Sequence, residues 1–421
     1  MDTQIHVANA TNNKNTVSTT ANGSSVGHVQ VGRNLNMNAN QALSLQETYD
    51  TFSVNPFSSV PQSAFQQGGT AYIDFQLPTT CGILRNVEAV LTVMNTGSNA
   101  HTWACPVMPF AINHVELWQN GAKVGLDIPS TALWKHIGYT DTLNELILQQ
   151  SRSTIDHNTF NVDASNNTIG AGASKVYSFD IGRLMQIVQG QICVKWLKQL
   201  TVRCYIENIN LLCPGSINTT NPNIIVSNMT LTCTQLLLSS GAEGRLAADY
   251  KAGSIDARCL QVKEEKATVV AVAGTSVQYN TNAFNNDVVA LLDCGFRGGN
   301  ATGADYVNFQ PVNKLYLTTQ DGINLHNGLQ PTNDDWNSIW FPKAFPDCIF
   351  PLAPLKNILP VITGSTNCRE SLRKAKQLGF KTAFNRFIVN IDMTSGNYQI
   401  LLHGWIYSHA RVSPAGDLTI Y

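Results

Sequence analysis

Two short turn triplets constrain this chain more than any other feature. Gln119-Asn120-Gly121 and Gln320-Asp321-Gly322 each follow a short β-type run, Val115-Glu116-Leu117-Trp118 in one case and Lys314-Leu315-Tyr316-Leu317 in the other. A second extended run follows each triplet. About thirteen residues past the glycine comes a tryptophan, Trp134 or Trp336, in a stretch of helical spacing. Asn-Gly and Asp-Gly are preferred two-residue hairpin turns, because both central positions need positive φ. The same plan met again about 200 residues later points to one β-rich unit used twice.

The length of 421 residues agrees, since it exceeds one ordinary core and fits two domains of roughly 180 residues. Only 13% of the residues are charged, against about 25% in typical globular proteins. Asn, Thr, Ser and Gln take the place of the missing charge, while the hydrophobic share of 43% is ordinary. Such a surface suits a protein largely covered by copies of itself, because interface cores are depleted in charge. A net charge of −1 argues against electrostatic capture of nucleic acid, which needs a concentrated basic surface, and no sequence-specific nucleic-acid binding is expected. The ten cysteines form no Cys-x-x-Cys pair and no zinc-finger spacing. Cys204 and Cys233 stand in apolar alternation, as small buried hydrophobes do. Together with an N-terminus that lacks a signal-like apolar core, this favours a reduced, intracellular site of folding over secretion. No apolar run approaches the 18 or so residues of a membrane span.

Along the chain, residues 1–45 carry almost no large apolar side chains and read as a flexible N-terminal arm. Strand patterns follow: Tyr72 to Leu77 with Ile73, Phe75 and Leu77 on one face, Asn86 to Met94, Tyr177/Phe179/Ile181, Val202/Cys204/Ile206 and Met229/Leu231/Cys233. Between them, Ser130 to Gln150 has helical spacing, and His157 to Ser174 reads as a long exposed loop. A first unit spans 46–240. A Gly- and Ala-rich linker at 241–257 leads to a second unit, 258–421. There, Leu260 to Val272, Asp287 to Cys294 and Phe387/Val389/Ile391/Met393 are strand patterns, and 297–312 is a second exposed loop. Asn333 to Phe341 and Asn367 to Leu378 read as short helices, with Asp334 and Asp335 at the start of the first. Phe341 to Pro360 carries five prolines, which predicts no regular structure. Tyr398 to Val412 is apolar on both faces and should be a central, buried strand. Many short strands with long loops make an all-β protein of sandwich or jelly-roll type.

Chemistry-bearing motifs are lacking. There is no nucleophile elbow, phosphate-binding glycine loop, His-Glu-x-x-His or EF-hand loop, so the sequence offers no catalytic, cofactor-binding or metal-ligating residue. The histidines are scattered, His403 and His409 falling in a strand pattern. Glu264 and Glu265 point to opposite sides of a strand and cannot pair as acid and base. Arg369, Arg373, Lys374, Lys376 and Lys381 form the one basic cluster, a solvated helix face or a contact for an anionic layer. Trp118, Trp134, Trp336, Trp340 and Trp405 read as core anchors, with sugar stacking as the other use of such residues.

The order of elements resembles the double jelly-roll major capsid proteins of icosahedral DNA viruses. The likeness rests on the polar arm, on Val115–Trp118 with its turn, on the counterpart turn with Trp336, and on the closing strands from Phe387 to Val412. The ending Leu401-Leu402-His403-Gly404-Trp405-Ile406-Tyr407-Ser408 looks like that family's last strand. The resemblance implies two tandem eight-stranded jelly rolls with short inserted helices. It implies a homotrimer of pseudo-hexagonal outline that tiles a shell in the virion, with loops 157–174 and 297–312 facing outward. The implied partners are neighbouring capsomers and minor capsid or penton proteins, with the arm or the basic segment 369–381 as contact for an internal membrane. The Pro-rich 341–360 stretch departs from the pattern, leaving the second unit without an obvious counterpart of the 175–181 strand. Two other readings compete: a carbohydrate-binding or carbohydrate-active β-sandwich protein, and a minor capsid or vertex protein.

Overall fold

A computed structural model of the chain describes residues 3–9, 15–21, 48–57, 71–102, 111–129, 168–181, 192–207, 224–253, 255–284, 288–298, 310–324, 330, 332, 349–351, 380–381 and 387–421. The arm carries a hairpin, β1 (Thr3–Asn9) with β2 (Asn15–Ala21). The first unit follows with β3 (Thr48–Val54), β4 (Ala71–Gln76), β5 (Ile83–Asn95), the short β6 (His101–Thr102), β7 (Ile112–Gln119), β8 (Ala122–Pro129), the short β9 (Thr168–Ile169), β10 (Ser174–Asp180), β11 (Leu200–Ile206) and β12 (Ile224–Leu237). A helix, α1 (Ser240–Lys251), leads to the second unit. That unit holds β13 (Asp256–Ala271), β14 (Val277–Asn280), β15 (Val288–Gly298), β16 (Lys314–Thr319), β17 (Ile349–Pro351), β18 (Phe380–Lys381), β19 (Phe387–Asp392), β20 (Gly396–Val412) and β21 (Leu418–Ile420).

Strand order identifies the architecture. In the first unit one sheet runs β10-β5-β12-β3 and the other β4-β11-β7-β8. Counting the eight long strands along the chain, the sheets read first-eighth-third-sixth and second-seventh-fourth-fifth. This is the nested Greek-key order of a jelly roll. The second unit repeats it: β13-β20-β15-β17 occupies the first, eighth, third and sixth places, and β14-β19-β16 the second, seventh and fourth. In the fifth place, Asn324 and Thr332 bridge to Thr318 and Lys314 of β16. Period-two alternation builds each core. Val87, Ala89, Leu91 and Val93 of β5 and Met229, Leu231 and Cys233 of β12 are buried, as are Ile73, Phe75, Val202, Cys204, Val115 and Leu117 of the other sheet. Burial pushes the Cys233 thiol up to about 12, so it stays a neutral apolar group.

The twin turns fall at the same place, between the fourth and fifth strands of each roll, but with different geometry. Asn120 (φ 52°) and Gly121 (φ 76°) form the expected two-residue turn. At the second site only Gly322 has positive φ (79°). Gly322 donates to the Thr319 carbonyl (3.0 Å) and Thr319 to the Ile323 carbonyl (2.9 Å), a turn closed by a glycine bulge. Asn tolerates the left-handed region better than most residues, which permits the first form at Asn120.

The linker expected after residue 240 takes a defined form, and two other expectations are corrected. The Gly/Ala-rich stretch after residue 240 is helical over Ser240–Lys251, because Ala, Leu, Glu, Arg and Lys outweigh two glycines in its first turns. The Pro-rich stretch contains β17, which pairs Ile349–Pro351 with β15 as the counterpart of β10. A proline is tolerated there because β17 lies at the sheet edge. The 157–174 stretch does not stay exposed to its end. Thr168–Ile169 pair with β6, Ile169 is fully buried, and Asn95 Nδ2 donates to the carbonyls of Ile169 (3.3 Å) and Gly170 (3.0 Å). The central place of the last strand holds: β20 lies between β13 and β15 and buries Ile400, Leu401 and Leu402 in succession. The helical stretches expected at 130–150, 333–341 and 367–378 lie outside the described residues.

Candidate assembly site at the seam of the two units

The first turn is not a free surface feature. The hairpin leaves Gln119, the last residue of β7, only 6% exposed. Its Nε2 donates to the carbonyls of Lys198 and Gly416, each at 3.0 Å, and its Oε1 accepts from the Leu418 amide at 2.8 Å. One side chain thus ties the first unit to the tail that follows β20. The tail is shaped to fit. Ser413 and Asp417 close a turn through Asp417 N–H to Ser413 Oγ (3.0 Å) and Gly416 N–H to the Ser413 carbonyl (2.9 Å). Lys198 adds its amide to the Gly416 carbonyl (2.9 Å) and its ammonium to Asp417 (2.6 Å). Gly416 has φ 84°, and a Cβ there would lie 2.7 Å from the Trp196 carbonyl oxygen, so only glycine lets the two backbones approach.

Two further joins flank this clasp. Gln261 of β13 accepts from the Leu126 amide of β8 (2.9 Å) and donates to Ser408 Oγ of β20 (2.7 Å). Helix α1 buries Tyr250, whose hydroxyl accepts from the Cys193 amide (2.6 Å) and whose ring packs on Trp196 at 4.9 Å. Lys195 pairs with Glu243 in the first turn of the same helix.

Beside the clasp lies a cleft of about 440 Å³ between the units, lined by His114, Asp127 and Pro129 on one side and Val262, Lys263 and Glu264 on the other. Its first wall continues as a polar face across β4, β11, β7 and β8. There Arg203 makes a two-pronged pair with Asp74 (2.7 and 2.9 Å) and lies over the rings of Tyr72 (3.9 Å) and Trp118 (4.3 Å). Ligand atoms of His114, Glu116 and Asp127 lie within 4.8 Å of one another, the only group among the described residues with spacing suited to a metal ion. Lys123 already pairs with both carboxylates, and Trp118 Nε1 donates to Glu116 (2.7 Å), so part of the carboxylate charge is offset within the chain. Burial lowers the His114 pKa against the pull of the Asp127, Glu116 and Glu264 charges, favouring the neutral ring.

On the second unit's side, fully buried His403 lies 3.0 Å from Glu264, and Lys266 lies 2.8 Å from its other oxygen. Burial alone would raise the Glu264 carboxyl, but the hydrogen bond and charge of His403, with Lys266, outweigh it and hold it at about 2. The ordinary value of 4.5 applies in the unfolded chain. The folded pKa is the lower one, so the stabilisation is complete above about pH 4.5 and is lost as pH falls toward 2. The wild-type advantage over Glu264→Gln in denaturant midpoint is therefore expected to be largest at pH 7 and to shrink stepwise at pH 4 and pH 3. A constant gap would place the charged pair elsewhere. Glu265, the next residue, accepts from Tyr279 (2.5 Å) and the amides of Asn282 and Ala283, so the adjacent carboxylates go to separate partners.

Sequence reasoning singled out other groups that the structure does not bring to the seam. Trp118 is no core anchor: it lies half-buried on the polar face under Arg203. Trp134, Trp336 and Trp340, the 297–312 loop between Gly298 and Gln310, and the basic residues Arg369 to Lys376 lie outside the described residues. His409 is half exposed and bonded to Asp256 at 3.1 Å. Gln119 was missed as a functional residue, since its partner Gly416 is 297 positions away.

No protein-family model and no curated protein sequence matches this chain. Solved structures do match. VP54 of the virus PBCV-1 superposes with a TM-score of 0.61 at 11% identity, covering 89% of this chain and 97% of that one. The Faustovirus major capsid protein gives 0.55 at 7% identity, over 92% and 93% of the two chains. The major capsid protein of Sulfolobus Turreted Icosahedral Virus gives 0.51 at 10% identity, over 85% and 96%. All three are double jelly-roll proteins. The chain has their fold. In this double jelly roll the twin turns are equivalent parts of the two rolls, and the seam is where the rolls join.

Proposed function

We propose that the double jelly roll is the major capsid protein of an icosahedral DNA virus, three copies of which form a capsomer of pseudo-hexagonal outline. The observation that carries this reading is the pairing of two rolls of one strand order into a single block by a buried seam, in a chain that spans 97% of VP54. The low charge supports it, because a subunit covered by its own copies needs few solvated ion pairs. The chain is then a building block of the virion, not a catalyst. Its partners are neighbouring capsomers and the minor capsid and penton proteins. The arm and the basic segment 369–381 are offered to an anionic layer beneath, such as an internal membrane. Negative-stain microscopy of the purified chain tests the reading: hexagonal-outlined particles are expected. A monomer that binds glycans on an array would overturn it in favour of a lectin-like sandwich.

A further inference from the structure

We propose that His114, Glu116 and Asp127 bind a divalent transition-metal ion of the zinc type, which pins β7 to β8 on the first roll's wall of the cleft. The donor set is one imidazole and two carboxylates, with ligand atoms within 4.8 Å of one another. The site would serve a single chain and an assembled one alike.

The histidine is held as a metal ligand is held. Its Nδ1 lies 2.9 Å from Asn113 Oδ1. The Asn113 amide is oriented by its own Nδ2, which donates to Glu207 at 2.7 Å, so Oδ1 is the atom that faces the ring. An amide oxygen only accepts, which puts a proton on Nδ1 and leaves the lone pair of the neutral ring on Nε2. Stacking on Tyr205, with centroids 4.1 Å apart, fixes the plane of the ring. A metal-bound histidine has this outer shell: one nitrogen tied down by an acceptor, the other turned to the ion.

The carboxylates call for more positive charge than Lys123 brings. Glu116 is 6% exposed, and one of its oxygens accepts from Trp118 Nε1 at 2.7 Å. Its other oxygen has the Lys123 ammonium at 3.5 Å, the outer limit of a hydrogen bond. Asp127, on the neighbouring strand, holds the same ammonium more closely. Arg203, opposite Glu116 on β11, is committed to Asp74. Like charges brought together across two strands disfavour each other, and one shared ammonium leaves the set with a negative excess. The Lys123 side chain is 38% exposed, so its ammonium can turn to solvent and yield both oxygens to an ion. The strands keep the donors in place. His114 and Glu116 share a face of β7, and the pairing with β8 shifts register between Val115 and Leu117, where Asp127 lies. Such irregularities re-aim side chains. The cleft, lined by His114 and Asp127, has room for the water that completes a shell of three protein ligands. A mixed nitrogen and oxygen set suits Zn²⁺, whereas Mg²⁺ prefers oxygen alone.

Denaturant unfolding of the full chain with added Zn²⁺, Mg²⁺ or neither is the test, with calorimetric titration for the affinity. Zn²⁺ is expected to raise the midpoint, and Mg²⁺ at the same concentration to leave it in place. Asp127 is exposed, so Asp127→Ala should keep most of the metal-free midpoint and lose most of the Zn²⁺ shift. His114→Ala should lose the shift as well. Lys123→Ala is expected to act the other way and tighten Zn²⁺ binding several-fold, because the competing ammonium is gone. A purely structural role for the three side chains would not produce that gain. Absence of a Zn²⁺ shift in the unsubstituted chain would overturn the proposal. So would a shift that survives both Asp127→Ala and His114→Ala, which would put the ion on the thiols or on other histidines. Unchanged or weaker binding by Lys123→Ala would overturn it too, the ammonium then being the permanent occupant.

Discussion

Gln119→Ala is expected to destabilise the chain by about 3 kcal/mol, while Gln320→Ala changes its stability by no more than about 0.5 kcal/mol. The two glutamines stand at the same place in twin turns, yet their surroundings differ. Gln119 is buried and serves three backbone groups, so its removal takes this partner from the Lys198 carbonyl and the Leu418 amide inside the seam, while the Gly416 carbonyl keeps the Lys198 amide. An unpaired buried polar group costs about 1–3 kcal/mol, offset in part where water can enter. Gln320 is exposed, and among the described residues it has no such duty. Gly416→Ala approaches the same clasp from the other side. It places a methyl 2.7 Å from a backbone oxygen at a positive φ and is expected to cost a similar amount. Because both changes open one contact, the double variant should lose much less than the sum of the two. Denaturant unfolding of the four variants decides the matter. Equal effects at Gln119 and Gln320 would mean that the tail does not dock on the first turn.

Gly404→Ala is expected to destabilise the second roll by about 3 kcal/mol, with larger side chains at that position abolishing soluble expression. Gly404 lies in β20, the central strand. A Cβ there would intrude on the Phe284 ring, 2.8 Å from Cζ and 2.9 Å from Cδ1. The ring cannot retreat, because Phe284 is fully buried and stacked on Phe387 with centroids 5.5 Å apart. Making room elsewhere should therefore rescue the defect: adding Phe284→Leu to Gly404→Ala is expected to recover part of the loss, although Phe284→Leu alone destabilises. Thermal unfolding that shows strict additivity would remove Phe284 as the cause.

The strands were legible because alternation is a local signal. Ile73/Phe75, Val202/Cys204/Ile206 and Phe387/Val389/Ile391 all bury the face that the alternation marks. The twin turns were legible in position, since Asn-Gly and Asp-Gly are compositional signals, but Asp321 does not adopt the positive φ that Asn120 does. Helix α1 was hidden because its glycines at 241 and 244 resemble those of a linker. Strand β17 was hidden because prolines exclude a central strand but not three residues at an edge. The seam was the least legible part. Its central contacts join Gln119 to Gly416 and Leu418, and nothing local in the sequence marks a glutamine as the partner of a glycine in the other roll. What the sequence did carry was the repeat itself.

The claim beneath all of this is that two rolls in one chain build a ring from three copies. The molar mass of the purified full-length chain, measured by light scattering behind size exclusion, tests it most directly. A single species at about three times the chain mass of 45.9 kDa is the expected result. A species at the mass of one chain, unchanged as concentration rises, would contradict it.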